Sequence, residues 1–234
     1  MNIYYAPPSQ VHSQFVELTG QEAKHASKVM RAREGDKLTV VDGEGGRYDG
    51  TIARILDESI QINVKESDRT SYPHPEIVLG LGIIKKRDRL EFAVEKAVEL
   101  GAAEIGLFRC ERTVKENVRM ERLQSKALSA MKQSLRAWLP DIRLFDSPGQ
   151  LVDHYPDSNI YVAHEKINPD DPENRADGIS TKSPQKMLLM IGPEGGFSVS
   201  EVKEMKDRGA KVVSLGPNRL RAETAAIAFL SQFL

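Results

Sequence analysis

Residues 187–197 read MLLMIGPEGGF, and they give the strongest indication of the fold of this chain. Its first five residues are apolar without alternation, which is typical of a strand buried on both faces of a parallel sheet. The glycine-rich turn at 192–196 follows, and Ser198 with Glu201 then forms a capping box that starts a helix. Ligands of α/β sheets bind beyond the carboxyl ends of the strands, so this turn is a candidate ligand loop. A tight turn without a ligand remains open at this point.

A second loop of the same kind follows in residues 212–226, which read VVSLGPNRLRAETAA. A short strand ends in a Gly-Pro turn that leads into the last helix. Glu223 is favourable in the first turn of a helix, whereas Arg219 and Arg221 stand at the end of the helix dipole that disfavours cations. Ordinary surface charge does not account for that placement, so we favour a functional role for these arginines.

The chain beyond residue 76 alternates strands and helices. Apolar runs predict strands at residues 77–84, 105–108, 160–163, 187–191 and 212–215. Helices are predicted from Asp88 (capped with the help of Glu91) to Gly101, over about 120–138, from Ser198 to Gly209 and over about 222–234. This alternation predicts an α/β domain with a mostly parallel sheet.

The first 70 residues predict a separate, β-rich domain. Alternating strands are expected at 37–41, 50–55 and 59–64, with one helix that a capping box of Thr19 and Glu22 starts. Prolines make 67–75 the best linker candidate. The sequence therefore predicts a compact barrel over 1–70, a linker at 71–75 and a second domain over 76–234.

The composition of this 234-residue chain limits the classes of function that it can have. The formal net charge is −1, so any surface for nucleic acid must be local: residues 83–145 carry 14 Lys/Arg against 9 Asp/Glu. This excess is either an ordinary solvated face or a basic strip that contacts phosphates, formed by Lys85, Lys86, Arg87, Arg89, Arg109, Arg112, Lys115 and Arg119. One cysteine, Cys110, excludes an internal disulfide and a multi-cysteine metal site. We expect a cytoplasmic protein without a metal, a leader or a membrane span.

The two loops together resemble the signature loops of the RsmE-type ribosomal RNA small subunit methyltransferases, uridine-N3 methyltransferases of the SPOUT class. Further matches run through both domains in order, at His25, Val29–Arg31, Glu34–Asp36, Asp42-Gly43, Lys86, Glu91, Lys96, Glu99–Gly101, Glu111-Arg112, Gln133–Arg136 and Pro140. The resemblance covers nearly the full length, and the ordered set is far more specific than any single motif.

This resemblance implies an N-terminal PUA-like β-barrel that contacts RNA and a C-terminal SPOUT (alpha/beta knot) domain with a deep trefoil knot. It implies a homodimer through the knot region, S-adenosylmethionine as cofactor and N3 of a uridine in 16S ribosomal RNA as target. The implied cofactor-binding residues are Ile191, Gly192, Pro193, Glu194, Gly195, Gly196, Leu215, Gly216, Asn218, Leu220 and Thr224.

Three residues are candidates for the chemistry. N3 of uracil is a poor nucleophile while it carries its imide proton, so the site must remove that proton and stabilise charge on the neighbouring carbonyl oxygens. Arg221 is expected to contact the base or orient a carboxylate, Glu223 is the candidate general base, and Arg136 of the partner subunit is a candidate clamp on the RNA. Helix capping or an ion pair with Arg221 remains the alternative for Glu223.

One position departs from the family pattern, which has an arginine directly after the Gly-x of the second loop. Asn218 stands there, and an arginine follows at 219. Three alternatives stay open: a SPOUT enzyme of different RNA specificity, a non-catalytic RNA-binding assembly factor, and an enzyme that binds nucleotide phosphates. The absence of a G-x-x-x-x-G-K-[ST] motif argues against the third.

Overall fold

The computed structural model describes residues 3–114, 117–168, 171, 174–179 and 186–234. They form two compact units. The first unit extends to Tyr72 and also contains Leu128–Leu139, and the second contains Pro73–Ala127 and Pro140–Leu234. The predicted boundaries at residues 70 and 76 lie beside this division, but they leave 128–139 in the second domain.

The first unit is built on a five-stranded sheet. Its strands are β1 (Ile3–Tyr5), β2 (Phe15–Thr19), β3 (Lys37–Val41), β4 (Gly46–Ile55) and β5 (Ser59–Arg69), in the order β1-β3-β4-β5-β2. β1 pairs with β3 in parallel, and the other pairs are antiparallel. Alternation along the strands buries Val16, Leu18, Ile52, Ile60 and Ile62 in one core.

Residues 137–139 belong to the first unit because their backbone pairs with the turn that follows β3. The Gly45 amide donates to the Ala137 carbonyl at 3.0 Å, and the Leu139 amide donates to the Gly43 carbonyl at 2.9 Å. A Cβ atom on Gly45 would lie 2.5 Å from the Trp138 ring, so only glycine fits there. Sequence patterns give no sign of this pairing, since the two segments are about 90 residues apart.

The second unit is a six-stranded, fully parallel sheet with helices. Its strands are β6 (Glu76–Gly82), β7 (Glu104–Phe108), β8 (Asp141–Phe145), β9 (Asn159–Ala163), β10 (Lys186–Ile191) and β11 (Lys211–Val213), in the order β11-β9-β10-β6-β7-β8. The chain's helices are α1 (Gly20–Lys24, continued by a π-helical turn, His25–Val29), α2 (Arg87–Glu99), α3 (Met120–Gln133), α4 (Pro148–His154), α5 (Val199–Asp207) and α6 (Ala222–Leu230).

The parallel sheet confirms the α/β prediction. β6 and β10 are buried along nearly their whole length, and Met187–Met190 are fully buried. α2 packs on α6 and α4 packs on α5. Because all six strands are parallel, β6, β9, β10 and β11 end at the same edge of the sheet, which we call the carboxyl edge. The opposite edge, where the strands begin, is the amino edge.

Two of the three predicted helix caps are wrong. Thr19 is the N-cap residue of α1, but its hydroxyl accepts from the Gln10 side-chain amide at 2.8 Å and does not cap the helix. Glu22, the other half of the predicted capping box, accepts from the Tyr5 amide at 3.1 Å and from Lys132 at 2.6 Å. α2 begins one residue before Asp88, and Glu91 is ion-paired with Arg122 and Arg87. Glu22 and Glu91 therefore form ion pairs with residues distant in sequence and do not cap their own helices. The capping box of Ser198 and Glu201 is confirmed.

Several predicted helix ends and strands also differ. α3 ends at Gln133 rather than near 138, since Leu135 takes a φ of 59° and the chain then pairs with the β3 turn. α6 ends at Leu230 and continues as a 3₁₀ turn. β1, β2, β8 and α4 are short elements that were not predicted from the sequence. In the described part of the chain, no helix has the length and apolar character to cross a membrane.

Candidate methyl-transfer site

A cavity of about 730 Å³ lies in the second unit, at the carboxyl edge of the sheet. Segments that follow three neighbouring strands meet there: 163–166 after β9, 191–197 after β10 and 214–222 after β11. One side of α5 completes the wall. The position agrees with the rule that ligands of open α/β sheets bind beyond the strands' carboxyl ends.

The loop after β10 has the backbone freedom that its glycines predict. Gly196 takes a φ of 65°, and its amide donates to the Pro193 carbonyl at 2.8 Å. A Cβ atom on Gly192 would lie 3.2 Å from the Gly196 backbone. The loop is therefore folded tightly on itself.

Four long-range hydrogen bonds position this loop and the helix after it. Both Glu194 carboxylate oxygens accept from the Lys85 amide at 3.1 Å. The Arg112 guanidinium donates to the Gly195 carbonyl at 3.1 Å, and the Glu111 amide donates to the Glu201 carboxylate at 2.9 Å. The end of β6 also approaches closely, because a Cβ atom on Gly82 would lie 2.5 Å from the ring of the loop proline.

The loop after β11 forms the facing wall. Gly216 takes a φ of 124°, and its amide donates to the Ser214 hydroxyl at 3.2 Å. Arg219 forms an ion pair with Glu165 at 3.0 Å, which joins this loop to the segment after β9. Asn218 also lines the cavity.

At the start of α6, the two charged candidates, Arg221 and Glu223, lie in different surroundings: one is exposed and the other is buried. Arg221 occupies the N-cap position, is exposed and lines the cavity. Glu223 is buried in the first turn, where Oε1 lies 3.5 Å from Nε of Arg89. Its Oε2 is buried and has no hydrogen-bond partner among the described residues. The ion pair therefore goes to Arg89 of α2 rather than to Arg221.

The cavity brings together most of the residues predicted from sequence. Its described lining includes Arg221 and, of the cofactor residues, Ile191, Gly192, Pro193, Glu194, Gly195, Gly196, Leu215, Gly216, Asn218 and Leu220. Thr224 and Glu223 are not in that lining set. Arg136 belongs to the first unit, where it is half-buried and burial lowers the pKa of its guanidinium.

The segment after β9 and the side of α5 that lines the cavity were not predicted from the sequence. His164, Glu165 and Lys166 line the cavity, as do Val199, Val202, Lys203 and Lys206. Burial lowers the pKa of His164, and the neighbouring cations add to that shift while Glu165 opposes it. The end of β9 was the available signal, since a third strand ends beside the two glycine loops.

Of the predicted basic strip, Arg87, Arg89 and Arg109 pair with carboxylates, and Lys115 lies outside the described residues.

Comparison with known proteins gives the class. A family model described as an RNA methyltransferase domain matches residues 71–234, and one described as an RNA methyltransferase PUA domain matches residues 18–65. The cavity and both glycine loops thus lie inside the methyltransferase match.

Individual relatives are similar to this chain along most of its length. Ribosomal RNA small subunit methyltransferase E of Mesomycoplasma hyopneumoniae is 30% identical over 77% of this chain and 79% of its own. The Bacillus subtilis protein of that name is 28% identical over 92% of this chain and 87% of its own. The crystal structure of the Neisseria gonorrhoeae protein of that name, bound to S-adenosyl methionine, matches with a TM-score of 0.84 and 26% identity over 99% of this chain and 95% of its own.

The chain therefore belongs to the ribosomal RNA small subunit methyltransferase E family of RNA methyltransferases. The resemblance inferred from the two loops is confirmed.

Proposed function

We propose that the chain methylates N3 of a specific uridine in 16S ribosomal RNA of the small ribosomal subunit, with S-adenosylmethionine as methyl donor. One observation carries the proposal: two glycine loops, with Arg221 at the end of the second, enclose one cavity at the carboxyl edge. The names of the relatives and the S-adenosyl methionine in the N. gonorrhoeae structure support it.

The residues present fit that cofactor. A volume of about 730 Å³ suits a small-molecule ligand. The positive φ angles of Gly196 and Gly216 let polar backbone approach the ligand, and Ile191, Leu215 and Leu220 supply apolar wall. When bound, the cofactor supplies a methyl group on a sulfonium. The backbone of residues 192–196 and 215–220 would hold it.

Arg221 is proposed to stabilise charge on the uracil carbonyl oxygens. Its guanidinium forms no ion pair or side-chain hydrogen bond within the described part of the chain, so its donors are available to the base. As N3 loses its proton, negative charge spreads onto those oxygens, and a fixed cation in the cavity lowers the energy of that state.

Glu223 is proposed to accept the imide proton. Its Oε2 has no partner among the described residues, while Arg89 fixes the other side of the carboxylate. We expect Glu223→Gln to lose about 100-fold or more in turnover while S-adenosylmethionine binding, measured by calorimetry, is kept. Near-normal turnover with bound cofactor would instead assign Glu223 to the Arg89 ion pair alone.

Larger-scale features are also proposed. They are a PUA-like RNA-binding domain over residues 1–70, a linker at 71–75, a trefoil-knotted SPOUT domain over 76–234, a homodimer through the knot region and a cytoplasmic location. Arg136 of the partner subunit is the proposed clamp on the RNA. Light scattering of the purified chain at micromolar concentration tests the dimer.

Mass spectrometry of small-subunit RNA from cells that lack the gene tests the function. We expect one methyluridine to disappear and to return when the gene is restored. Loss of a different modification would favour another RNA specificity within the SPOUT class. An unchanged RNA, together with no calorimetric binding of S-adenosylmethionine, would favour a non-catalytic assembly factor.

A further inference from the structure

The wall of the cavity carries an excess of positive charge. Its described lining contains two carboxylates, Glu165 and Glu194, and six cationic side chains: Arg112, Lys166, Lys203, Lys206, Arg219 and Arg221. The whole chain has a formal net charge of −1. Six cations against two carboxylates therefore mark this wall as a local site for negative charge.

Most of these cations have no carboxylate partner. Arg219 pairs with Glu165, and Glu194 accepts from a backbone amide instead. Within the described part of the chain, no ion pair is formed by Arg112, Lys166, Lys203, Lys206 or Arg221. Several arginines outside the cavity do pair with carboxylates, among them those at 87, 89, 109, 122, 143 and 208.

α5 shows the contrast within a single helix. Arg208, just past its end, pairs with Asp153 at 2.8 Å and with Glu204 at 2.8 Å. Lys203 and Lys206 are exposed, lie three residues apart and thus share a side of the helix, and line the cavity without a partner. Both lysines are therefore available to a ligand in the cavity.

The proposed cofactor does not account for this charge. S-adenosylmethionine carries a sulfonium, an ammonium and one carboxylate, so it is itself a net cation. A net cation does not neutralise the excess positive charge of the wall, so the wall can attract a further, anionic group. Lys166, Lys206 and Arg112 line the same cavity as His164, whose pKa is lowered by burial and further by these cations.

We propose that Lys203 and Lys206 of α5 bind backbone phosphates of the RNA substrate beside the target nucleotide. This inference rests on the proposed function, because it takes RNA as the polyanion. It assigns the α5 side of the cavity to the RNA and the two glycine loops to the cofactor. The remaining source of negative charge, the carboxylate of the cofactor, is an outcome of the test.

The test measures RNA affinity against salt for Lys203→Gln, Lys206→Gln and the double variant, with 16S ribosomal RNA as probe. Each lost phosphate contact should reduce the slope of log K against log salt by about 0.7, the value for single strands. Lys211→Gln is the matched control, because Lys211 is an exposed lysine that begins β11 at the amino edge and is not in the described cavity lining.

In the α5 variants we expect a smaller slope of log K against log salt and a raised KM for RNA. S-adenosylmethionine affinity should stay unchanged within twofold. Lys203→Arg and Lys206→Arg should restore the wild-type slope and KM. A slope equal to that of Lys211→Gln would overturn the inference. So would a loss of cofactor affinity with RNA affinity kept, since the lysines would then hold the cofactor carboxylate. If the wild-type chain binds RNA but transfers no methyl group, the proposed function fails while the slopes still test the lysines.

Discussion

The two edges of the parallel sheet use the same strands in opposite ways. At the amino edge, Lys186 of β10 pairs with Glu76 of β6 and Glu104 of β7, each at 2.9 Å, and the Tyr155 hydroxyl donates to Glu104 at 2.8 Å. At the carboxyl edge, β10 and β11 end in glycine-containing turns, and most of the cations that line the cavity there have no carboxylate partner among the described residues.

Within one sheet, the side chains at the amino edge therefore contribute to stability, and those at the carboxyl edge contribute to function. Charges at the amino edge satisfy one another, so removing one affects the folded state and leaves the chemistry alone. Most cations of the carboxyl-edge cavity lack a carboxylate partner among the described residues, so removing one of them should affect binding or turnover. Variants at the two edges should therefore differ in which measurement they change.

The largest expected effect comes from Arg221→Gln. Loss of the cation that faces the uracil oxygens should lower turnover about 100- to 1,000-fold, the range for removing one oxyanion donor. Methyl transfer to 16S ribosomal RNA at saturating cofactor measures it.

Arg219→Gln is the comparison for that variant, since Arg219 is the arginine that follows Asn218. It already pairs with Glu165 in an exposed ion pair, so we expect a loss below about tenfold. Equal losses in the two variants would show that both arginines act in the reaction.

An intermediate effect is expected from Gly82→Ala. The added Cβ would lie 2.5 Å from the ring of Pro193 and 3.0 Å from the carbonyl carbon of Gly192, so the loop after β10 must shift. We expect S-adenosylmethionine affinity to fall at least about tenfold, roughly 1.4 kcal/mol. Calorimetry measures it, and wild-type affinity with an unchanged melting temperature would remove this loop from the cofactor site.

The smallest effect belongs to the amino edge. Tyr155→Phe removes one hydrogen bond to a carboxylate and should lower the free energy of unfolding by about 1.5 kcal/mol, with activity unchanged. Denaturant unfolding measures it. Tyr161→Phe is the control, because Tyr161 is also buried and its hydroxyl has no hydrogen-bond partner in the described part of the chain, so its effect should be near zero.

The Tyr155→Phe difference should also depend on pH. Burial raises the pKa of Glu104, but the hydrogen bonds from Lys186 and Tyr155 outweigh it and leave that pKa below its usual 4.5. A lowered pKa contributes stability above the unfolded value that is lost as the pH falls through the folded value. The difference between wild type and Tyr155→Phe should thus be full near neutral pH and shrink as the pH falls below 4.5. A difference that grows there would contradict the account.

The sequence was informative where chemistry is local. Glycines, prolines and apolar runs predicted both loops, the parallel sheet and the capping box of Ser198, because turn geometry and strand burial depend on neighbouring residues. Charged partners were not predictable in this way. Glu223 pairs with Arg89, 134 residues earlier, because α2 packs on α6. Lys203 and Lys206 read as an ordinary solvated helix surface, and only the cavity beside them gives them a role.

The central claim is that the carboxyl-edge cavity transfers a methyl group from S-adenosylmethionine to N3 of a uridine. The most direct test incubates the purified chain with the cofactor and with small-subunit RNA that lacks the modification, and then locates added methyl groups by mass spectrometry. The account predicts one new methyl group, on the base of a single uridine, and almost none with Arg221→Gln. No transfer by the wild-type chain, or a methyl group on a ribose or another base, would contradict it.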